Sequence, residues 1–166
     1  MTDPPPPLLL LDVDGVLAPI PDDTRAAEFE IHDVIDHAGI THTIWLNPDH
    51  RRWIHELAEA YELVWATGWQ HDAPRLLGPL LGIPPIPVIV LTVRPQLGMR
   101  LNKLPDVASY VGDRPVAWID DQLTTAEASW AAGRNTRTLL ICSDPTVGLL
   151  RSHVDELLRF ASAAGW

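Results

Sequence analysis

The sequence predicts a doubly wound α/β domain: a parallel five-stranded sheet with helices on both faces and a β-hairpin inserted after the first strand. Five runs, LLLLDVD (8–14), ELVWATG (62–68), PVIVLTV (87–93), PVAWIDD (115–121) and RTLLICSD (137–144), are apolar on successive residues, as strands buried on both faces are. Helix-length segments separate most of them, which is the alternation of a parallel sheet. The 166 residues are 46% hydrophobic and 20% charged, enough for one domain with a real core, and neither an internal repeat nor a linker composition divides 1–166.

Taken in order, Pro4–Pro7 favour polyproline II and donate no backbone hydrogen bonds, so 1–7 reads as a stiff leader. The first strand follows, closed by Gly15. Residues 28–34 and 41–46 alternate apolar and polar around a turn containing Asp36 and Gly39, giving a hairpin flap over 28–46. Asn47 and Pro48 open a helix reaching Tyr61, with Trp53, Leu57, Ala60 and Tyr61 on one face. After the second strand comes a short helix over 72–81, stopped by Gly82 and by prolines 84, 85 and 87. A short helix over 105–110 lies between strands three and four. Thr124 to Ala132 is helical up to Gly133, and 153–164 is a closing amphipathic helix. Between Gly15 and Thr67 there is room for the hairpin and one helix only, so no large cap covers the sheet.

Composition excludes several functions. A net charge of −10 argues against a broad nucleic-acid grip, which needs clustered Lys and Arg, but it leaves room for a small anion or a nucleic-acid end at one site. Cys142 is the only cysteine, so no internal disulfide forms, and its strand position reads as core. The N-terminus lacks a basic signal region and its apolar run is too short for a bilayer, which predicts a cytoplasmic protein with no membrane partner.

The chemistry concentrates at strand ends. In a doubly wound sheet, ligands bind beyond the carboxyl ends of the strands. There stand Asp12 and Asp14, then Thr67 and Gly68, then Asp120 and Asp121. Lys103, the only lysine beside eleven arginines, precedes the helix leading into strand four and can reach the same edge. Four converging carboxylates repel one another, and a hard divalent cation such as Mg²⁺ relieves this. Cation, ammonium, hydroxyl and backbone N–H together describe a pocket for one phosphoryl group. Trp69 and Gln70 follow directly and are candidate substrate contacts. Asp113, in VGDRP, precedes its strand and reads as a solvated turn. His32, His37 and His42 recur at a spacing of five, which does not bring three zinc ligands together on one strand, and they read as solvated residues near the substrate entrance.

DVDGVL, ATGW, Lys103 and WIDD, in that order and over nearly the whole chain, resemble the four motifs of the haloacid dehalogenase (HAD) superfamily. WLNP, ELVWATGW and WIDD resemble, more narrowly, the small HAD domain related to Swiss Army Knife RNA repair proteins. The resemblance implies a Mg²⁺-dependent phosphomonoester hydrolase with Asp12 as the nucleophile that becomes an aspartyl-phosphate. Asp14 is then the acid and base, a position that distinguishes phosphatases from dehalogenases and ion pumps. Thr67 and the Gly68 N–H hold phosphoryl oxygens, and Lys103 offsets their charge. Mg²⁺ is held by Asp12, the Asp14 carbonyl and Asp121, with Asp120 auxiliary. Alternatives stay open: a phosphotransferase or phosphomutase, a non-catalytic phosphate-binding module, or a subunit whose pocket a partner completes. An uncapped site favours a bulky phosphorylated substrate, a nucleic-acid end or a protein.

Overall fold

Four consecutive leucines make the central strand. The computed structural model describes residues 5–92 and 100–163. β1 (Leu8–Leu11) is wholly buried and lies parallel between β4 (Glu62–Trp65) and β5 (Val116–Asp120), and β6 (Thr138–Cys142) adds beyond β5. The order β4-β1-β5-β6 reverses direction at β1, so the topological switch falls beside Asp12.

Side chains of these strands alternate between two cores, as the pleat requires. Leu9, Leu11, Leu63, Trp65, Ala117 and Ile119 face α1 (His50–Ala58) and α5 (Arg151–Ser162), which contribute Trp53, Ile54, Leu57, Val154, Leu157 and Ala161. Leu8, Leu10, Val64, Val116 and Trp118 face α3 (Leu104–Val111) through Val107 and Val111, with Trp130 of α4 (Thr125–Ala132) packed alongside. Both faces are covered, as the sequence predicts. α4 also starts as a well-capped helix: the Thr124 side chain accepts the Ala126 N–H at 3.2 Å, and Glu127 returns to the Thr124 N–H at 2.7 Å.

Among the described residues the sheet has four strands where five are predicted. Segment 87–93 pairs with the β4 edge only around Val88, where Trp65 N–H donates to Pro87 O at 2.9 Å and Ile89 N–H donates to Trp65 O at 2.8 Å. Prolines 84, 85 and 87 lack the N–H groups a ladder needs. Further on, Leu91 N–H goes to the Gln70 side chain and Thr92 N–H to the Asp106 carboxylate, and residue 93 lies outside the described residues. Other boundaries shift less. The first helix begins at His50, because the Asn47 side chain accepts the Asp49 N–H at 2.9 Å and forms a turn there. Residues 73–77 coil as a wide π-helical turn before α2 (Gly78–Leu81). Cys142 is exposed instead of buried, since it ends the edge strand β6. Residues 1–4 of the leader and residue 164 of the closing helix lie outside the described residues. No helix among the described residues is long and apolar enough to cross a membrane.

β2 (Glu30–Ile35) and β3 (Thr41–Leu46) form the inserted antiparallel pair. Asp36 shapes its turn by accepting the N–H groups of Ala38 and Ile40, both at 2.9 Å, and Gly39 supplies the left-handed φ of +80°. The tip docks on the segment after β4: His37 Nδ1 lies 2.6 Å from Asp72 Oδ2, Arg75 Nε donates to Asp72 Oδ1 at 2.9 Å, and Arg75 Nη2 donates to Ile35 O at 3.0 Å. Burial alone would raise the Asp72 pKa, but the His37 and Arg75 hydrogen bonds outweigh it and hold the group at about 2, below its ordinary 3.8. A depressed carboxylate stabilises the fold above its unfolded pKa and stops doing so as pH falls through the folded one. The stability advantage of the wild type over Asp72→Asn is therefore expected in full above about pH 4 and lost towards pH 2. Parallel thermal melts across that range measure it; an advantage that persists at pH 2 would mean Asp72 does not tie down the tip through its charge.

Candidate active site

The backbone after β1 coils immediately, and this coil aims the carboxylates. Ala18 N–H returns to Val13 O at 2.8 Å and Gly15 N–H to Ala18 O at 3.0 Å. The loop is pinned from outside by Ser143 Oγ donating to Gly15 O at 2.8 Å and by Leu149 N–H donating to Val16 O at 2.8 Å. His50, fully buried, sets its two ring nitrogens against Leu17 O and Leu149 O at 3.2 and 3.1 Å. A rigid loop thus carries Asp12 and Asp14.

Asp12 is 5% exposed, with Oδ1 accepting the Val13 N–H at 2.7 Å and Oδ2 lying 2.6 Å from Lys103 Nζ. The same ammonium lies 2.7 Å from Asp120 Oδ2, and Asp120 Oδ1 accepts the Gln122 N–H at 2.8 Å. Lys103 is 6% exposed. It reaches the sheet edge from the residue just before α3, as its place in the sequence predicts. Burial pushes the Asp12 carboxyl up to about 7 against the opposing pull of Lys103, and burial also raises Asp14 and Asp121. The Lys103 pKa, which desolvation would lower, is raised by Asp12 and Asp120. One ammonium is left to balance four carboxylates.

Oxygens of Asp12, Asp120 and Asp121 come within 4.8 Å of one another. That donor set is all hard oxygen, and three clustered acids with raised or shared charge suit Mg²⁺ rather than a thiol-seeking metal. Both oxygens of Asp12 and both of Asp120 already have partners, so Asp121 brings the least committed carboxylate of the three. The Asp14 side chain turns away: its Oδ2 accepts the Trp69 indole N–H at 3.0 Å.

Gly15 explains why glycine follows the paired aspartates. Its φ is +70°, and a Cβ there would sit 2.6 Å from Cγ and Oδ2 of Asp121. Gly15→Ala should therefore displace the Asp121 carboxylate and strain the loop, costing about 1–3 kcal/mol of stability and weakening any Mg²⁺-induced rise in Tm. Chemical denaturation with and without Mg²⁺ checks both parts; an unchanged response to the ion would show Asp121 free to move aside.

These groups floor a cavity of about 760 Å³. Asp12, Asp14, Gly68, Lys103 and Asp121 line its base, and Trp69, Gln70, Arg75, His37 and His42 its walls. The Gly68 N–H has no acceptor among the described residues and is available to an anion. Thr67 is fully buried beneath the cavity, its Oγ1 accepting the Trp69 N–H at 3.3 Å, so it shapes the turn that presents Gly68. Asp120 is buried behind Lys103. Asp113 is an exposed turn residue before β5. Of the hairpin histidines read as lying near the entrance, His37 and His42 line this cavity, with Asp36 beside them, and His32 is not part of its lining.

A family model for the HAD domain in Swiss Army Knife RNA repair proteins matches residues 8–154. The chain belongs to that family. No curated protein matches this HAD domain significantly. Among solved structures, that of Fcp1, an essential RNA polymerase II CTD phosphatase, aligns over 96% of this chain and 49% of its own, at 16% identity and a TM-score of 0.48. The HAD domain thus spans about half the length of that structure.

Proposed function

We propose that this HAD domain is a Mg²⁺-dependent phosphatase that hydrolyses phosphomonoesters through an aspartyl-phosphate on Asp12. The observation that carries the reading is the Lys103 bridge between Asp12 and Asp120 at the floor of the cavity, with Asp14 and Asp121 lining the same floor. A carboxylate is a nucleophile only when its charge is held in place and the incoming phosphoryl charge is neutralised. Lys103 does the first and, with the Gly68 N–H and the Thr67 turn, contributes to the second.

Bound Mg²⁺ supplies further neutralisation of the phosphoryl oxygens. The chain's own residues carry the rest. A carboxylate oxygen of Asp12 attacks phosphorus in line as the bond from phosphorus to the leaving oxygen breaks, and that oxygen takes the proton of Asp14. Asp14, now ionised, accepts a proton from water as the water oxygen attacks phosphorus. The bond to Asp12 breaks, phosphate leaves, and both aspartates return to their starting states. Positioning provides much of the rate, which suits a site whose two key carboxylates are already held.

The cavity holds a group larger than phosphate, and its walls mix aromatic and polar side chains. A panel of an aryl phosphate, nucleotides, and 5′- and 3′-phosphorylated oligonucleotides, assayed with Mg²⁺ and with EDTA, tests the reading. We expect Mg²⁺-dependent phosphate release and a Mg²⁺-induced rise in Tm of several degrees, on the order of what a ligand well above its Kd provides. Asp121→Asn should lose both. A folded protein that gains Tm with Mg²⁺ yet releases phosphate from nothing on the panel would contradict catalysis and leave a binding module.

A further inference from the structure

Asp14 has a placement problem. The acid lines the same cavity floor as Lys103, and its ionised form is drawn towards that charge and towards any cation held by Asp12 and Asp121. A carboxylate drawn inward cannot serve a leaving group, which must depart away from the nucleophile. Some group has to hold it off without neutralising it.

The Trp69 indole does this. Its Nε1–H donates to Asp14 Oδ2 at 3.0 Å, and no side-chain or backbone donor among the described residues occupies Asp14 Oδ1. An indole N–H is a neutral, donor-only group. It fixes one oxygen and leaves the other free to carry the proton. The bond itself favours the ionised form, against the burial that raises the Asp14 carboxyl, and an Arg or Lys there would add a full charge to the same pull.

Trp69 is itself held. Its ring packs on the core cluster, and the His42 ring lies 5.1 Å away, tilted at 58°. His42 Nε2 lies 2.9 Å from Asp36 Oδ2, while Asp36 Oδ1 is committed to the hairpin turn. On the other side Gln70 adopts a left-handed φ of +51° and its side chain accepts the Leu91 N–H at 3.2 Å. Backbone strain of this kind persists only where neighbours over-determine it. The turn therefore fixes where the indole points.

We propose that Trp69 is a positioning residue for the general acid Asp14, and that the hairpin, through Asp36 and His42, is the element that holds it. The hairpin then does more than border the entrance. The inference rests on the phosphatase reading above.

Leaving-group dependence tests it. The ratio kcat/KM covers steps only up to departure of the leaving group. A nitrophenyl leaving group needs no proton, whereas an alkoxide does. Trp69→Phe keeps the ring and deletes the donor. It should lower kcat/KM for an alkyl phosphate about tenfold or more, within the range a general acid supplies, and change that for nitrophenyl phosphate less than about threefold. His42→Leu, a change in the half-buried hairpin side chain that packs on the indole, should show the same selective loss at smaller size and guards against misfolding of the first variant. In an Asp14→Asn background, Trp69→Phe should add almost nothing, because the two act as one unit. Equal losses on both substrates, a rise in KM alone, or full additivity with Asp14→Asn would overturn the proposal and make Trp69 a substrate contact or plain packing. A wild type inert on both substrates would instead overturn the phosphatase reading, and the proposal with it.

Discussion

Asp12→Asn should abolish phosphate release, by on the order of 10⁴-fold or more, while the protein stays folded. The amide keeps an oxygen for the Val13 N–H but is no nucleophile, and Lys103 retains Asp120 as its ion-pair partner. Stability without metal should hold or increase, because the substitution removes a carboxylate whose ionisation burial opposes. Activity assays alongside thermal melts separate the two effects. Substantial turnover in a folded variant would take Asp12 out of the nucleophile's role.

Lys103→Met should be the most destabilising single change in the site. The ammonium is buried between two carboxylates at 2.6 and 2.7 Å, and removing it leaves both without their counter-charge. Breaking a buried pair from one side costs roughly 3–5 kcal/mol. Mg²⁺ should recover part of that loss, so the Mg²⁺-dependent rise in Tm should be larger in the variant than in the wild type. Lys103→Arg keeps the charge but not the shape: a planar fork replaces a compact ammonium in a space closed on two sides. Its activity should fall about a hundredfold, since proper orientation of reacting groups is worth at least that much. Denaturation curves and initial rates check both variants. Near-normal behaviour in each would make the chain's only lysine incidental to the site.

How far the sequence led is clear from particular residues. The leucines at 8–11, the motif ELVW and the motif VAWI are apolar without alternation because both faces of their sheet are covered, and that pattern is visible in one dimension. The strand ends bearing Asp12, Asp120 and Asp121 converge because parallel strands share an edge, so topology alone brings them together. Lys103 stood out by composition and proves to be the ion-pair partner of two of them.

The misreadings share a cause. PVIVLTV has the apolar character of a strand, but pairing depends on N–H groups, which Pro87 lacks and which the side chains of Gln70 and Asp106 take up at Leu91 and Thr92. Cys142 looks like core because strands usually are, yet its exposure depends on β6 being the edge. The bond from Trp69 to Asp14 joins residues 55 apart in sequence, and the docking of His37 on Asp72 joins residues 35 apart. Such contacts depend on tertiary register, which periodicity does not encode.

The claim at the centre of this account is that Asp12 carries the phosphoryl group. Quenching the enzyme in acid during turnover, reducing acyl phosphate with borohydride and mapping the modified peptide by mass spectrometry tests it directly. The account predicts that residue 12 is converted to homoserine, only when substrate and Mg²⁺ are both present. Sustained phosphate release with Asp12 unmodified and the label on another residue would contradict it.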